Sequence, residues 1–372
     1  MSDVSRSRVR ALCRRSRMAF PPRTIDHPTD NAFIHRHKVL PCTDPNPALH
    51  DTTTDNRIKR QLELEAKETL LLSIHRVIAS VLPTMTMDAI LEVLAAPALF
   101  SSKASKPSTP PEGQIGDQLR KIAEGGYPNV STMLTADPPA QTRYRKAIGK
   151  PFGPRRIQEF EPLLRDVSRQ LIAAWPKQGE VPFMESFAMP FPIRAISSAL
   201  GMAPALEADI KRWSDDSVAT LGAKITDARR IEAEHGIVES QKYWATRYVQ
   251  AQQNPIGDIV SNLVGADFQD HTGQTRRLDV AEFISMMRQF MVAGNETTTK
   301  LLTSGLRLLI ETPAEWAKIQ EDPSGVPAMV EEVLRLASPN QGLFRTVTAD
   351  TELQGVSLRA GDRLWIIFGS AN

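Results

Sequence analysis

From Arg57 onward, apolar residues recur at steps of three and four over most of the chain, and they turn to extended runs only near its end. Ile58, Leu62, Leu70, Ile74, Val77, Ile78 and Val81 mark a first amphipathic helix that stops before Pro83, and a short helix follows over Met87–Ala95. The stretch 101–131 is rich in Ser, Pro and Gly and reads as a long loop, of the kind that often forms a lid. Asp137 then caps a helix with Pro138 and Pro139 in its first turn. Further helices are predicted at about 155–175, 186–200, 207–221, 228–253, 256–264, 279–312, 314–320 and 326–336. Strands are predicted at 344–347, 356–358 and 364–368, the last entered through a turn at Ala360-Gly361-Asp362. The fold class is therefore mainly α with a small β element.

The helix over about 279–312 breaks its own pattern. Val280, Phe283, Ile284, Met287, Phe290 and Met291 lead in along one face, and Leu301, Leu302, Leu308 and Leu309 lead out. Continued through the middle, the same stripe lands on Gly294, Thr297 and Thr298. Glycine inside a helix costs about 1 kcal/mol relative to alanine. Threonine can turn its hydroxyl back on the preceding turn's carbonyl and bend the helix. Two readings are open: close packing of another helix at Gly294, or a notch where something small and polar binds beside Glu296.

Composition narrows the setting. The chain has 372 residues, 41% hydrophobic and 24% charged, with a net charge of +2, so no global field draws it to nucleic acid or an anionic membrane. The best apolar run, Leu70 to Leu82, contains His75 and Arg76 and is too short for a membrane span. The two cysteines, Cys13 and Cys42, give neither a disulfide framework nor a metal spacing, which fits a reducing, cytoplasmic location. Residues 1–56 are predicted to be disordered, with seven arginines in the first 23 residues and no apolar period; a helical domain is expected over 57–372. The Arg- and Ser-rich start suits a solvated tail better than a transit peptide.

Three further features join the notch. Glu332 and Arg335 stand at i and i+3 on a helix. Arg145 follows Gln141 by four residues on the helix after Asp137-Pro138-Pro139, and Arg345 lies on a strand soon after the Glu332 helix. Two arginines from distant segments suit a doubly anionic ligand. Each feature alone is weak. Their order, Asp137 to Arg145, then Ala293-Gly294-Asn295-Glu296-Thr297-Thr298, then Glu331-Glu332-Val333-Leu334-Arg335, then the segment from Arg345 to Asp362, resembles the cytochrome P-450 family of haem-thiolate monooxygenases. The resemblance runs from about Met87 to Asn372 and is strongest to soluble bacterial members.

The resemblance implies haem b and a reaction that inserts one oxygen atom of dioxygen into a small apolar substrate. Electrons would come from a ferredoxin-type or other donor protein, with no nucleic-acid or membrane partner. It places Ala293 and Gly294 beside the oxygen site, Thr297 as hydrogen-bond partner of the bound oxygen, and Glu296 in the proton relay. Arg145, with Gln141 where the family often has histidine, and Arg345 would hold the haem propionates. Glu332 and Arg335 would form a buried structural ion pair. Relatives that use peroxide directly tend to lack the acid–threonine pair, so its presence favours dioxygen. The chain stops at Phe368-Gly369-Ser370-Ala371-Asn372, upstream of the family's cysteine loop, and neither Cys13 nor Cys42 has that loop's context. No metal ligand is therefore expected within this chain. The expectation is a fragment of a working enzyme, with an inactive remnant or binding module unable to ligate haem iron as the alternative.

Overall fold

The computed structural model describes residues 86–372, apart from 104–112, 150–151, 221–224 and 271. The boundary expected near residue 56, the helix expected between Arg57 and Pro83, and both cysteines lie outside the described residues.

Helix α1 (Met87–Ala95) starts where the Thr86 hydroxyl accepts from the Ala89 amide. After the two-residue strand β1 (Phe100–Ser101) comes α2 (Gln114–Ala123), within the stretch expected to be a loop. The signal was there: Ile115, Leu119 and Ile122 share one face. Helix α3 (Ala140–Gly149) follows the two prolines, but Asp137 does not cap it. That carboxylate accepts instead from the Ser102 amide (2.7 Å) and the Ser101 hydroxyl. The single helix expected at 155–175 is divided at Phe160 into α4 (Pro154–Glu159) and α5 (Glu161–Ala173), with Pro162 in the first turn of the second.

A π-helical turn (Met184–Ala188) leads into α6 (Pro190–Ala199), then come α7 (Glu207–Ala219), α8 (Asp227–Gln253) and α9 (Ile259–Val264). Strands β2 (Phe268–Gln269) and β3 (Thr275–Arg276) form a minimal antiparallel pair. The long helix α10 (Val280–Glu311) has 32 residues; α11 (Pro313–Glu321) and α12 (Val326–Ala337) follow. The chain then turns to β4 (Gly342–Val347), β5 (Thr351–Leu353), β6 (Val356–Leu358) and β7 (Arg363–Ile367). Strand β4 lies between β1 and β7, with Ser101 opposite Thr346 and Arg345 opposite Leu364, all antiparallel. The β5–β6 hairpin turns through Gln354 and Gly355, both at positive φ, as a two-residue turn requires.

The start of α10 is fixed by a capping box. Asp279 accepts from the Glu282 amide (2.8 Å) and Glu282 accepts from the Asp279 amide (2.9 Å). The Glu282 carboxylate also takes two hydrogen bonds from Arg276 (2.6 and 2.7 Å) and one from the Tyr144 hydroxyl (2.9 Å). Burial alone would raise this carboxyl; the hydrogen bonds outweigh it and hold it below the usual carboxylate range. One core runs from here: Phe283, Met286, Met287 and Met291 of α10 are fully buried with Trp244 of α8, Ile259 and Leu263 of α9, and Ile210 of α7. No described helix is long and apolar enough to cross a membrane.

Candidate functional site

The middle of α10 has a neighbouring helix on one side of its polar break and a cleft on another. A Cβ added to Gly294 would sit 3.8 Å from Ile196 of α6, an ordinary van der Waals contact. Gly294 is half-buried beside a neighbouring helix, with room for a methyl group. The open position belongs to Ala293, which is exposed. The Thr297 hydroxyl donates to the Ala293 carbonyl (2.7 Å), and Thr299 and Thr303 repeat the bond to Asn295 and Thr299. Three threonines in succession thus return their hydroxyls to the helix backbone, the behaviour expected of threonine within a helix. Glu296, beside Thr297, forms an i,i+4 ion pair with Lys300 (3.1 Å) on the partly exposed side of the helix.

A cleft of about 400 Å³ lies against this segment. Thr297, Thr298 and Leu301 form one wall; Leu334 of α12, Ser338, Asn340 and Phe368 complete it. The C-cap residue Ser338, at positive φ, ends α12 there and turns the chain toward β4. Ser338 and Asn340 carry no motif, so sequence reading had no means to pick them out.

The Glu332–Arg335 pair is bidentate, at 2.6 and 2.8 Å. It is buried at one end only: the Glu332 side chain is 4% exposed and that of Arg335 43%, which corrects the expectation of a fully buried pair. Helical spacing sets this, because an i,i+3 partner sits a turn along the same surface and a long arginine keeps its head near water.

The two arginines from distant segments differ. Arg345, on the central strand β4, is half-buried, and its guanidinium donates to the Phe344 carbonyl (2.9 Å). Burial pushes it below its usual range, and Asp137, just ahead of α3, partly offsets this. Arg345 and the start of the helix carrying Gln141 and Arg145 are therefore near one another. Arg145 itself is exposed and makes no hydrogen bond or ion pair among the described residues. Neither arginine lines the cleft beside Thr297.

Comparisons with known proteins agree with one another. The family model described as cytochrome P450 matches residues 227–372, which include α8, α10, α12 and strands β4 to β7. The erythromycin C-12 hydroxylase of Saccharopolyspora erythraea is 32% identical over 241 residues, 64% of this chain and 59% of that protein. The steroid C26-monooxygenase of Mycobacterium tuberculosis is 29% identical over 245 residues, 66% of this chain and 64% of its own. The chain thus spans about three fifths of the length of these curated relatives. Among solved structures, cytochrome P450 CREJ in complex with (4-ethylphenyl) dihydrogen phosphate matches with a TM-score of 0.68 at 27% identity, covering 77% of this chain and 70% of that one. A mutant of P450 EryK in complex with erythromycin B matches with a TM-score of 0.67 at 28% identity, covering 82% and 75%. The matches are of one kind: residues 227–372 fit the cytochrome P450 family model, and about two thirds of the chain is similar to bacterial cytochromes P450 in sequence and in fold.

Proposed function

We propose that this chain provides the oxygen-side and propionate-side parts of a haem-dependent monooxygenase. The reaction inserts one oxygen atom of dioxygen into an apolar organic substrate, with electrons from a ferredoxin-type or other donor protein, in the cytoplasm. The observation that carries the reading is the pair Thr297 and Thr298 of α10, lining a cleft in a P450 fold.

The side chains suit haem b. Arg345 is a half-buried cation whose one hydrogen bond goes to a carbonyl, and the nearby Asp137 carboxylate is already engaged by Ser101 and Ser102. A half-buried guanidinium without an anion in hydrogen-bond reach favours an anionic ligand. Arg145 and Gln141 offer unengaged donors from α3, and together with Arg345 they would hold the two propionates. The bound group supplies oxygen activation and the redox chemistry. The protein's part is proton handling and placement. Thr297 holds a hydroxyl proton at its Oγ1, at present on the Ala293 carbonyl, and can redirect it into the cleft. Glu296 relays protons to that hydroxyl when released from Lys300. Glu332, held by Arg335, secures α12 against the cleft's far wall.

Haemin titration of the 372-residue chain tests this. Saturable uptake of one haem per chain is expected, weakened about tenfold or more in Arg345→Met by loss of a charge-assisted hydrogen bond. With reductant supplied, Thr297→Ala should raise peroxide formed per reductant consumed. A chain that takes up no haem, or a Thr297→Ala variant with unchanged peroxide yield, counts against the assignment.

A further inference from the structure

The segment between α2 and α3 is held in place by side chains of two long helices. Between Tyr127 and Ala136 its one backbone-to-backbone hydrogen bond among the described residues runs from the Ala136 amide to the Thr132 carbonyl (2.8 Å). On α8, Gln241 accepts from the Tyr127 amide (2.9 Å) and donates to the Tyr127 carbonyl (3.1 Å). On α10, the Ser285 hydroxyl accepts from the Val130 amide (2.9 Å). Gln289, one turn on, grips the segment twice. Its Oε1 accepts from the Leu134 amide (3.1 Å), and its Nε2 donates to the Thr132 hydroxyl (2.7 Å). A carboxamide suits this task because it carries an acceptor and a donor at once. Thr132 is fully buried, so its hydroxyl has no water to turn to if Gln289 is lost.

The grip lies where three site-bearing elements meet. Three residues beyond Leu134, the Asp137 carboxylate accepts from the Ser102 amide (2.7 Å) and the Ser101 hydroxyl, at the end of β1. Ser101 pairs with Thr346, next to Arg345 on β4. Pro138 and Pro139 follow, with φ fixed by their rings, and α3 begins at Ala140. The Gln141 amide donates to the Asp137 carbonyl (3.0 Å). The loop 132–137 is therefore tied to α10 by Gln289, to the sheet by Asp137, and to α3 by the chain itself. Gln289 stands eight residues before Thr297, about 12 Å along the helix axis, and does not line the cleft beside it.

We propose that Gln289 is a positioning residue for haem. By fixing the loop 132–137 it sets the start of α3 against α10, and so holds Gln141 and Arg145 where, with Arg345, they reach the propionates. The ligand rests on the haem-dependent reading above; the placement of α3 rests on the hydrogen bonds alone.

Haemin titration and amide hydrogen exchange of the full chain test this. Gln289→Leu loses both bonds at similar volume. It should weaken haem uptake about tenfold, the low end for outer partners that orient a ligand set. In the haem-free chain it should speed exchange of the Leu134, Ala136 and Gln141 amides. Gln289→Glu can still accept from the Leu134 amide and from a reversed Thr132 hydroxyl, and should restore most of both. In an Arg145→Met background, adding Gln289→Leu should cost less than about twofold in haem affinity, while its shift in melting temperature stays the same in both backgrounds. Unchanged haem affinity in Gln289→Leu, no rescue by Gln289→Glu, or an equal loss with and without Arg145 would overturn the proposal. Should Gln289→Leu fail to fold, Thr132→Val removes the Nε2 bond alone. A smaller loss that vanishes without Arg145 then supports the proposal, and an unchanged affinity or an equal loss without Arg145 overturns it. If the parent chain takes up no haem, the haem reading falls. Faster exchange at Gln141 in Gln289→Leu then still supports the placement of α3, and unchanged exchange there overturns it.

Discussion

The two halves of α10 read alike in sequence and fare differently in the fold. Before Val292, Phe283, Ile284, Met286, Met287 and Met291 are all buried against α7, α8 and α9. After Ala293, Leu301, Leu302 and Leu308 stay half-buried, and Ile310 is 68% exposed. The first half is core and the second borders a cleft. A period of 3.6 announces a helix with an apolar side, but it does not say whether that side meets other helices or a ligand space. The polar break at residues 293–298 marks the change from one use to the other.

The sharpest way to break that contrast is to truncate one side chain in each half. Phe283→Ala should cost about 3–5 kcal/mol in denaturant unfolding, because it empties a site closed on all sides. Leu301→Ala should cost only about 1 kcal/mol, since much of its surface already faces the cleft. Equal losses would erase the distinction. Next in size is the anchor of the buried half. Glu282→Ala removes the capping box and the partner of Arg276 and Tyr144, for about 2–4 kcal/mol.

The Glu282 contribution also has a pH signature. Its folded-state pKa is depressed, so the stabilisation is present above the unfolded carboxyl value, about 4.3, and is lost as pH falls through the lower folded value. Comparing acid unfolding of the parent and Glu282→Gln isolates it, and the variant should show the weaker dependence. Smaller still is Gly294→Ala. With room beside Ile196, it should be neutral or stabilise by up to about 1 kcal/mol. A loss beyond that would mean that the space beside Ile196 is closed to a methyl group. The smallest effect is expected at Thr297→Val, under about 0.5 kcal/mol in thermal unfolding, since its hydroxyl bond is exposed and the helix keeps its own backbone bonds.

Much of this was legible in the chain. The helices with three or more turns were placed to within a few residues because their buried faces repeat often enough to read. Helix α2 was missed because Gly, Ser and Pro around it outweighed three apolar positions. Strands β1, β2, β3 and β5 were missed because two or three residues carry no period; their pairing comes from partners far away, as with Phe100 and Val347. Asp137 was misread as a cap for the same reason. Its better partners, Ser101 and Ser102, are more than thirty residues upstream and come close only when β1 joins β4.

The order of Gln141, Arg145, Ala293, Glu296, Thr297, Glu332, Arg335 and Arg345 pointed to the cytochrome P450 family without any coordinates, since a shared fold keeps its residues in one succession along the chain. Which neighbour each one meets depended on three-dimensional packing. Gly294 beside Ile196 and Arg345 near Asp137 are proximities between distant segments, and the burial of Glu332 while Arg335 reaches water depends on what packs against their helix. Local pattern is fixed by each residue's own backbone and its few neighbours in the chain. Burial, pairing and charge state are set by what the rest of the molecule brings alongside.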